Sequence, residues 1–183
     1  NVRTLLRAWG ALPAEFRRRR SLVLTCDLGS AEMTVLKSWL AEEGLGAGVV
    51  STGFVSDEIL ADLYAEAWLY VHPSRYEGFG LPVVEAQACG AAVVASDAAS
   101  LPEVVGDGGL LVDPDDPRSF RDAFMKLDED PDGMRRLRER APASAARFTP
   151  EILAGSVATA LRYAVEVRRP GSPRRPGSAR SWA

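Results

Sequence analysis

The 183-residue chain is 46% hydrophobic and 26% charged, with a formal net charge of −3, an ordinary composition for a globular protein of about one domain. This excludes wholesale disorder, collagen-like repeats and a disulfide-stapled miniprotein, and no run approaches the roughly 18–20 apolar residues of a membrane helix. Residues 168–183 hold five arginines and no acid, which leaves 17 basic against 25 acidic side chains, a net −8, on residues 1–167; so acidic a body argues against a nucleic-acid-binding face.

The start, Asn1-Val2-Arg3, has no Met, does not resemble a signal peptide and falls in mid-helix, so a fragment is expected. Leu5, Leu6, Trp9 and Leu12 follow a helical period, and Arg17 to Arg20 are expected in a solvated turn. Residues 21–26 form a short apolar run suited to a buried parallel strand. A helix is predicted over about 31–43, with Met33, Leu36 and Leu40 on one side and Gly44 as its stop. A strand over 49–52 is followed by a helix capped by Ser56, with Asp57 and Glu58 in its first turn. The alternation goes on with strands at 68–71, 92–95 and 110–112, helices at 81–89 and 101–105, and Gly90 as a stop. Helices are then predicted over 117–127, 132–141 and about 150–167, with Pro142 expected to break or kink the second. Strands alternating with helices predict an α/β fold with a doubly wound parallel sheet, whose ligands bind beyond the carboxyl ends of the strands. Residues 168–183 repeat Arg-Arg-Pro-Gly-Ser and are expected to be a disordered basic tail.

One strand-to-helix loop stands out, His72-Pro-Ser-Arg-Tyr-Glu-Gly-Phe-Gly-Leu-Pro-Val-Val-Glu85. Gly78 and Gly80 let the backbone bend and a ligand approach closely. Pro82 belongs at the first helical position. The amides of Gly78, Phe79, Gly80, Leu81 and Val83 are then available to an anion, aided by the helix dipole, and a phosphate is the natural guest. Glu77 and Glu85 bracket these amides. A carboxylate repels a phosphate, so the two acids are expected to face sugar hydroxyls, for which an ionised carboxylate is a pure acceptor.

The segment Glu77-Gly-Phe-Gly-Leu-Pro-Val-Val-Glu85 resembles the Glu-x7-Glu signature of family 4 retaining glycosyltransferases, the group 1 enzymes with the two-domain GT-B fold. Gly53-Phe-Val-Ser-Asp-Glu-Ile-Leu60, the stretch from Ala86 to Ser96, and the stretch from Ser100 to Pro114 resemble the family's flanking segments in the right order. The resemblance covers most of the chain and implies the Rossmann-like C-terminal, donor-binding half of a GT-B enzyme, over residues 1–167. Glu85 would accept from the ribose hydroxyls and Glu77, the catalytic candidate, from hydroxyls of the transferred sugar. The amides of Phe79, Gly80 and Leu81 would hold the diphosphate, and backbone at Phe54 and Val55 would border the base. The implied reaction moves a hexose from a nucleoside diphosphate sugar to a hydroxyl acceptor, with a lean to mannose. The nucleotide sugar is a substrate; no cofactor and no metal are expected.

Departures from the family pattern matter as much. The family's Arg/Lys pair lies on a loop before the first helix, and that loop, the domain's first strand and the acceptor half are absent from this sequence. Arg75 is the one candidate to replace the cations, and a surface role is expected for it. The chain alone is therefore expected to bind donor weakly and to transfer nothing. The alternatives are a non-catalytic nucleotide-sugar-binding module and a GT-B epimerase or phosphorylase. Peripheral membrane association of the longer protein through its other half is left open.

Other signals read as structural. Asp113-Pro-Asp115 lies in a proline turn, Asp128 and Asp130 at a helix end, and Asp97 and Ser100 in a loop. His72, the one histidine, cannot build a His-rich metal site and is expected in a structural hydrogen bond. Trp9, Trp39 and Trp68 read as core, with Trp182 in the tail. Cys26 and Cys89 read as buried small hydrophobes in a reducing, cytoplasmic compartment. Gly78-x-Gly80-x-x-Val83 lacks the third glycine of a dinucleotide fingerprint, and neither a P-loop nor a nucleophile elbow is present.

Overall fold

Leu5, Leu6, Ala8 and Trp9 recur on one side of helix α1 (Val2–Gly10) and are all buried, as the helical period requires. In the computed structural model, which describes residues 1–46 and 48–167, α1 is followed by α2 (Ala14–Arg19), β1 (Leu22–Leu24), α3 (Ser30–Glu42) and β2 (Val49–Ser51). Then come α4 (Asp57–Glu66), β3 (Tyr70–His72), α5 (Leu81–Ala88), β4 (Val93–Ser96), α6 (Leu101–Val105) and β5 (Gly109–Val112). Helices α7 (Pro117–Glu129), α8 (Pro131–Ala145) and α9 (Pro150–Val167) complete it. By contact the chain falls into two units, Asn1–Ala146 and a second beginning at Arg147. Within the second, the Ile152 amide donates to Thr149 Oγ1 at the start of α9 (3.3 Å). The expected tail, residues 168–183 with Trp182, lies outside the described residues.

All pairings among the described strands are parallel, as the alternation predicts, but they form two ladders. β1 pairs with β2 (Leu22 opposite Val49), and the other order is β3-β4-β5, with Tyr70 opposite Val93 and Val93 opposite Gly109. β1 and β3 each end a ladder, and Leu22, Val23, Tyr70 and Val71 line one apolar cleft of about 380 Å³. β4 is buried at every position, which fits a strand paired on both sides and covered on both faces.

Three expectations are corrected. Arg17–Arg19 belong to helix α2 rather than to a turn, with Arg18 and Arg19 exposed as expected. Arg20 is withdrawn from solvent: its guanidinium lies 4.3 Å from the Phe16 ring centre and 4.2 Å from that of Trp68, and donates to Asp128 Oδ1 at 2.5 Å. Pro142 lies inside α8 without ending it. Ala141, Ser144 and Ala145 on either side of it are buried, and the Ala141 backbone sits against Gly108, so packing holds the turn that the proline weakens. Cys26 and Cys89 are free thiols and half-buried rather than buried. Trp9 is buried and Trp39 and Trp68 pack partly buried against the same core, as expected.

Candidate functional site

The loop after β3 is shaped by its glycines and by one distant serine. Gly80 has φ +105°, and a Cβ there would lie 3.0 Å from Leu101 Cδ2, so both backbone conformation and space demand glycine. A Cβ on Gly78 would meet nothing within 4 Å, so the fold does not demand glycine there. The Ser100 hydroxyl is shared between the carbonyl oxygens of Glu77 (3.0 Å) and Phe79 (2.8 Å). Beside it, Ala99 is the one non-glycine residue at positive φ (51°) among the described residues, an uncommon conformation for a residue with a Cβ. The Asn1 amide donates to Pro73 O (2.9 Å) and Pro114 O (2.8 Å), which joins the loops after β3 and β5.

Two details of the helix start differ from expectation. α5 begins at Leu81, so Pro82 is its second residue; its missing N–H is still one that no helix would satisfy. The Val83 amide is not available to a ligand, because it closes the first turn onto Gly80 O at 3.0 Å. The amides of Gly78, Gly80 and Leu81 donate to no protein group among the described residues. They stand at the positive end of an eight-residue helix.

Both acids act electrostatically on a pair of tyrosines. Glu77 Oε1 lies 3.0 Å from His72 Nε2, and His72 Nδ1 lies 2.9 Å from the Tyr70 hydroxyl. The Ser74 hydroxyl first, and His72 after it, hold the Glu77 carboxyl below the usual carboxylate range against the opposing effect of burial. Glu85 is exposed, one turn into α5. Burial first, and the charge of Glu85 second, push the Tyr64 hydroxyl up to about 12. Burial above all drives Tyr70 higher still, with the neighbouring Tyr64 and both carboxylates adding to it. Both tyrosines are therefore neutral at neutral pH, and both glutamates act on the same hydroxyl.

Phe54 and Val55 follow β2, after a turn at Gly53 (φ +69°); Phe54 is 82% exposed and Val55 half-buried. No hydrogen bond or ring contact joins them to the glycine loop among the described residues. Arg75 Nε donates to Asp115 Oδ1 (2.6 Å), both side chains exposed, the surface role expected of it. Asp113 accepts from the Asp115 amide (2.8 Å), Asp130 caps α8 through the Gly133 amide (2.7 Å), and Asp128 holds Arg19 and Arg20. The Asp97 amide bonds Val112 O. Among the described residues no group of three or more His, Cys, Asp or Glu is placed to hold a metal.

Residues 1–144 match the family described as glycosyl transferases group 1. The chain belongs to the group 1 glycosyltransferases. It is 48% identical over 117 residues to the O-antigen chain mannosyltransferase B of Escherichia coli, covering 63% of this chain and 30% of that protein. The sucrose-phosphate synthase structure from Thermosynechococcus elongatus superposes with a TM-score of 0.78 at 30% identity, over 91% of this chain and 42% of that one. Anabaena Alr3699/HepE in complex with UDP-glucose gives a TM-score of 0.75 at 26% identity, over 87% of this chain and 44% of that one. This group 1 chain thus has the α/β, Rossmann-like fold of one half of a GT-B enzyme, and it spans less than half the length of these proteins. No helix among its described residues is long and apolar enough to cross a membrane.

Proposed function

We propose that this chain is the donor-binding part of a retaining glycosyltransferase that moves a hexose, with a slight lean to mannose, from a nucleoside diphosphate sugar to a hydroxyl acceptor. The observation that carries the reading is the juxtaposition at the start of α5: unbonded amides of Gly78, Gly80 and Leu81 beside two carboxylates, Glu77 and Glu85. A ligand with an anionic middle and hydroxyl-rich ends answers both features at once. The mannosyltransferase relative and the UDP-glucose complex of a structural neighbour support a nucleotide sugar and the lean to mannose.

In this reading the diphosphate lies on the three amides. Glu85 accepts from the ribose hydroxyls, Glu77 from the transferred sugar, and the backbone at Phe54 and Val55 borders the base. The bond from the sugar's C1 to the diphosphate oxygen breaks with its electron pair on the leaving group. The acceptor oxygen forms the new bond to C1 and passes its proton to the departing diphosphate oxygen. Negative charge grows on the diphosphate as the sugar becomes oxocarbenium-like, and preoriented amides stabilise it without reorganising. The nucleotide sugar is the substrate, and the reading calls for no further cofactor.

Calorimetric titration of this chain with GDP-mannose tests the reading. Binding that weakens at least tenfold in Glu85→Gln, with no transfer to acceptor by the chain alone, is the expected result. Unchanged affinity in Glu85→Gln, or turnover by this chain, would contradict it.

A further inference from the structure

His72 is buried at the carboxyl end of β3, between a tyrosine on its own strand and the acid of the glycine loop. The Glu77 carboxyl is ionised and has no hydrogen to offer, so the hydrogen in the 3.0 Å contact sits on His72 Nε2. In the neutral ring Nδ1 then presents a lone pair. The Tyr70 hydroxyl lies 2.9 Å from it, placed to donate there, and has the Tyr64 side chain as its other hydrogen-bond partner. The ring nitrogens are thereby assigned distinct roles by their partners.

We propose that His72 is a positioning residue for the donor sugar: Tyr70 fixes it as the Nε2–H tautomer, and in that state it ties Glu77 Oε1 to β3. This role rests on the reading of Glu77 as the acid that faces the transferred sugar. A carboxylate offers about four lone-pair sites; Ser74 and His72 use part of them. The Glu77 side chain remains 31% exposed, so acceptor sites are left for sugar hydroxyls. A glutamate on a loop samples several rotamers, and tying one oxygen to a strand paired with β4 removes that freedom before the sugar arrives. The contact is to the Glu77 carboxylate and not to the amides of Gly78, Gly80 and Leu81. The role therefore concerns the sugar and leaves the nucleotide untouched.

Because His72 is the only histidine in the chain, its ring nitrogens can be read without assignment ambiguity in a long-range ¹H–¹⁵N spectrum at neutral pH. The expected spectrum is that of a neutral ring protonated at Nε2, with loss of that single tautomer in Tyr70→Phe. A ring protonated at Nδ1, or at both nitrogens, overturns the proposal. The second arm compares GDP-mannose with GDP, and UDP-glucose with UDP, for the wild type and two variants. His72→Leu is expected to lose about tenfold in affinity for the sugar nucleotide and none for the nucleotide itself. His72→Gln, which still offers an N–H towards Glu77, is expected to recover most of the loss. Equal losses for sugar nucleotide and nucleotide, or no loss in either, overturn the positioning role, and Tyr70→Phe provides the same comparison if His72→Leu does not fold. A wild type that binds none of the four compounds removes the donor reading and this role together. A wild type that binds the donor with an Nδ1–H ring removes this role alone.

Discussion

Gly78 and Gly80 stand two residues apart and answer to different constraints. Gly80→Ala places a Cβ at φ +105° and 3.0 Å from Leu101 Cδ2, so a loss of about 1–2 kcal/mol in denaturant unfolding is expected. Gly78→Ala meets open space and is expected to stay within about 0.5 kcal/mol of wild type, while weakening nucleotide binding. Equal destabilisation by the two would contradict this division. Glu77 supplies a pH test. Its carboxyl is held low in the folded state by Ser74 and then His72, so its contribution to stability is present above the ordinary glutamate pKa and lost as pH falls through the folded value. The stability difference between wild type and Glu77→Gln is therefore expected to shrink on acidification below about pH 4, read from urea midpoints at successive pH values. At this scale the sequence showed which residue types crowd the loop, including both glutamates and the glycines. It placed Ser100 in a loop but did not show that its hydroxyl reaches back more than twenty positions to the Glu77 and Phe79 carbonyls, because such contacts are fixed by how α6 packs. A structural hydrogen bond was expected for His72, but its partners Tyr70 and Glu77 were hidden, since the geometry depends on the bend after Pro73.

Among the elements, periodicity and stop signals located most helices and strands to within a few residues, because the buried faces are strongly patterned, as in α1 and β4. The misreadings occurred where tertiary packing overrides local chemistry. A run of four arginines reads as a solvated turn, yet Phe16, the buried residue of α2, anchors Arg17–Arg19 in a helix with Arg18 and Arg19 still exposed. Pro142 reads as a breaker, yet α8 continues across it against the turn at Gly106–Gly108. That contact is tight: a Cβ on Gly108 would fall 2.6 Å from Gln87 Nε2 and 2.8 Å from Ala141 Cα. Gly108→Ala is expected to destabilise by about 1–3 kcal/mol through overpacking, measured as a lowered thermal midpoint. An unchanged midpoint would show that α5 and α8 are less closely packed than described.

For the unit Asn1–Ala146 as a whole, stability converges on Arg20, which links Phe16 of α2, Trp68 before β3 and Asp128 of α7. Arg20→Ala removes two partly desolvated cation–π contacts and leaves Asp128 with only the more exposed Arg19. A loss of about 2 kcal/mol is expected, and Arg20→Lys recovers little because an ammonium cannot stack between the rings. A Lys variant as stable as wild type would show that charge, rather than stacking, holds this junction. The sequence predicted the parallel α/β class, since strands and helices alternate. It did not reveal that the strands divide into β1–β2 and β3–β4–β5, because partner choice between strands leaves no local trace.

The start of α5 is the proposed seat of the diphosphate. The most direct measurement is a ¹H–¹⁵N titration of this chain with GDP, UDP and ADP, following the amides of Gly78, Gly80 and Leu81. Saturable shifts confined to these amides and their neighbours, strongest with one base and lost in Glu85→Gln, are the predicted result. Shifts elsewhere in the chain with these amides silent would contradict it.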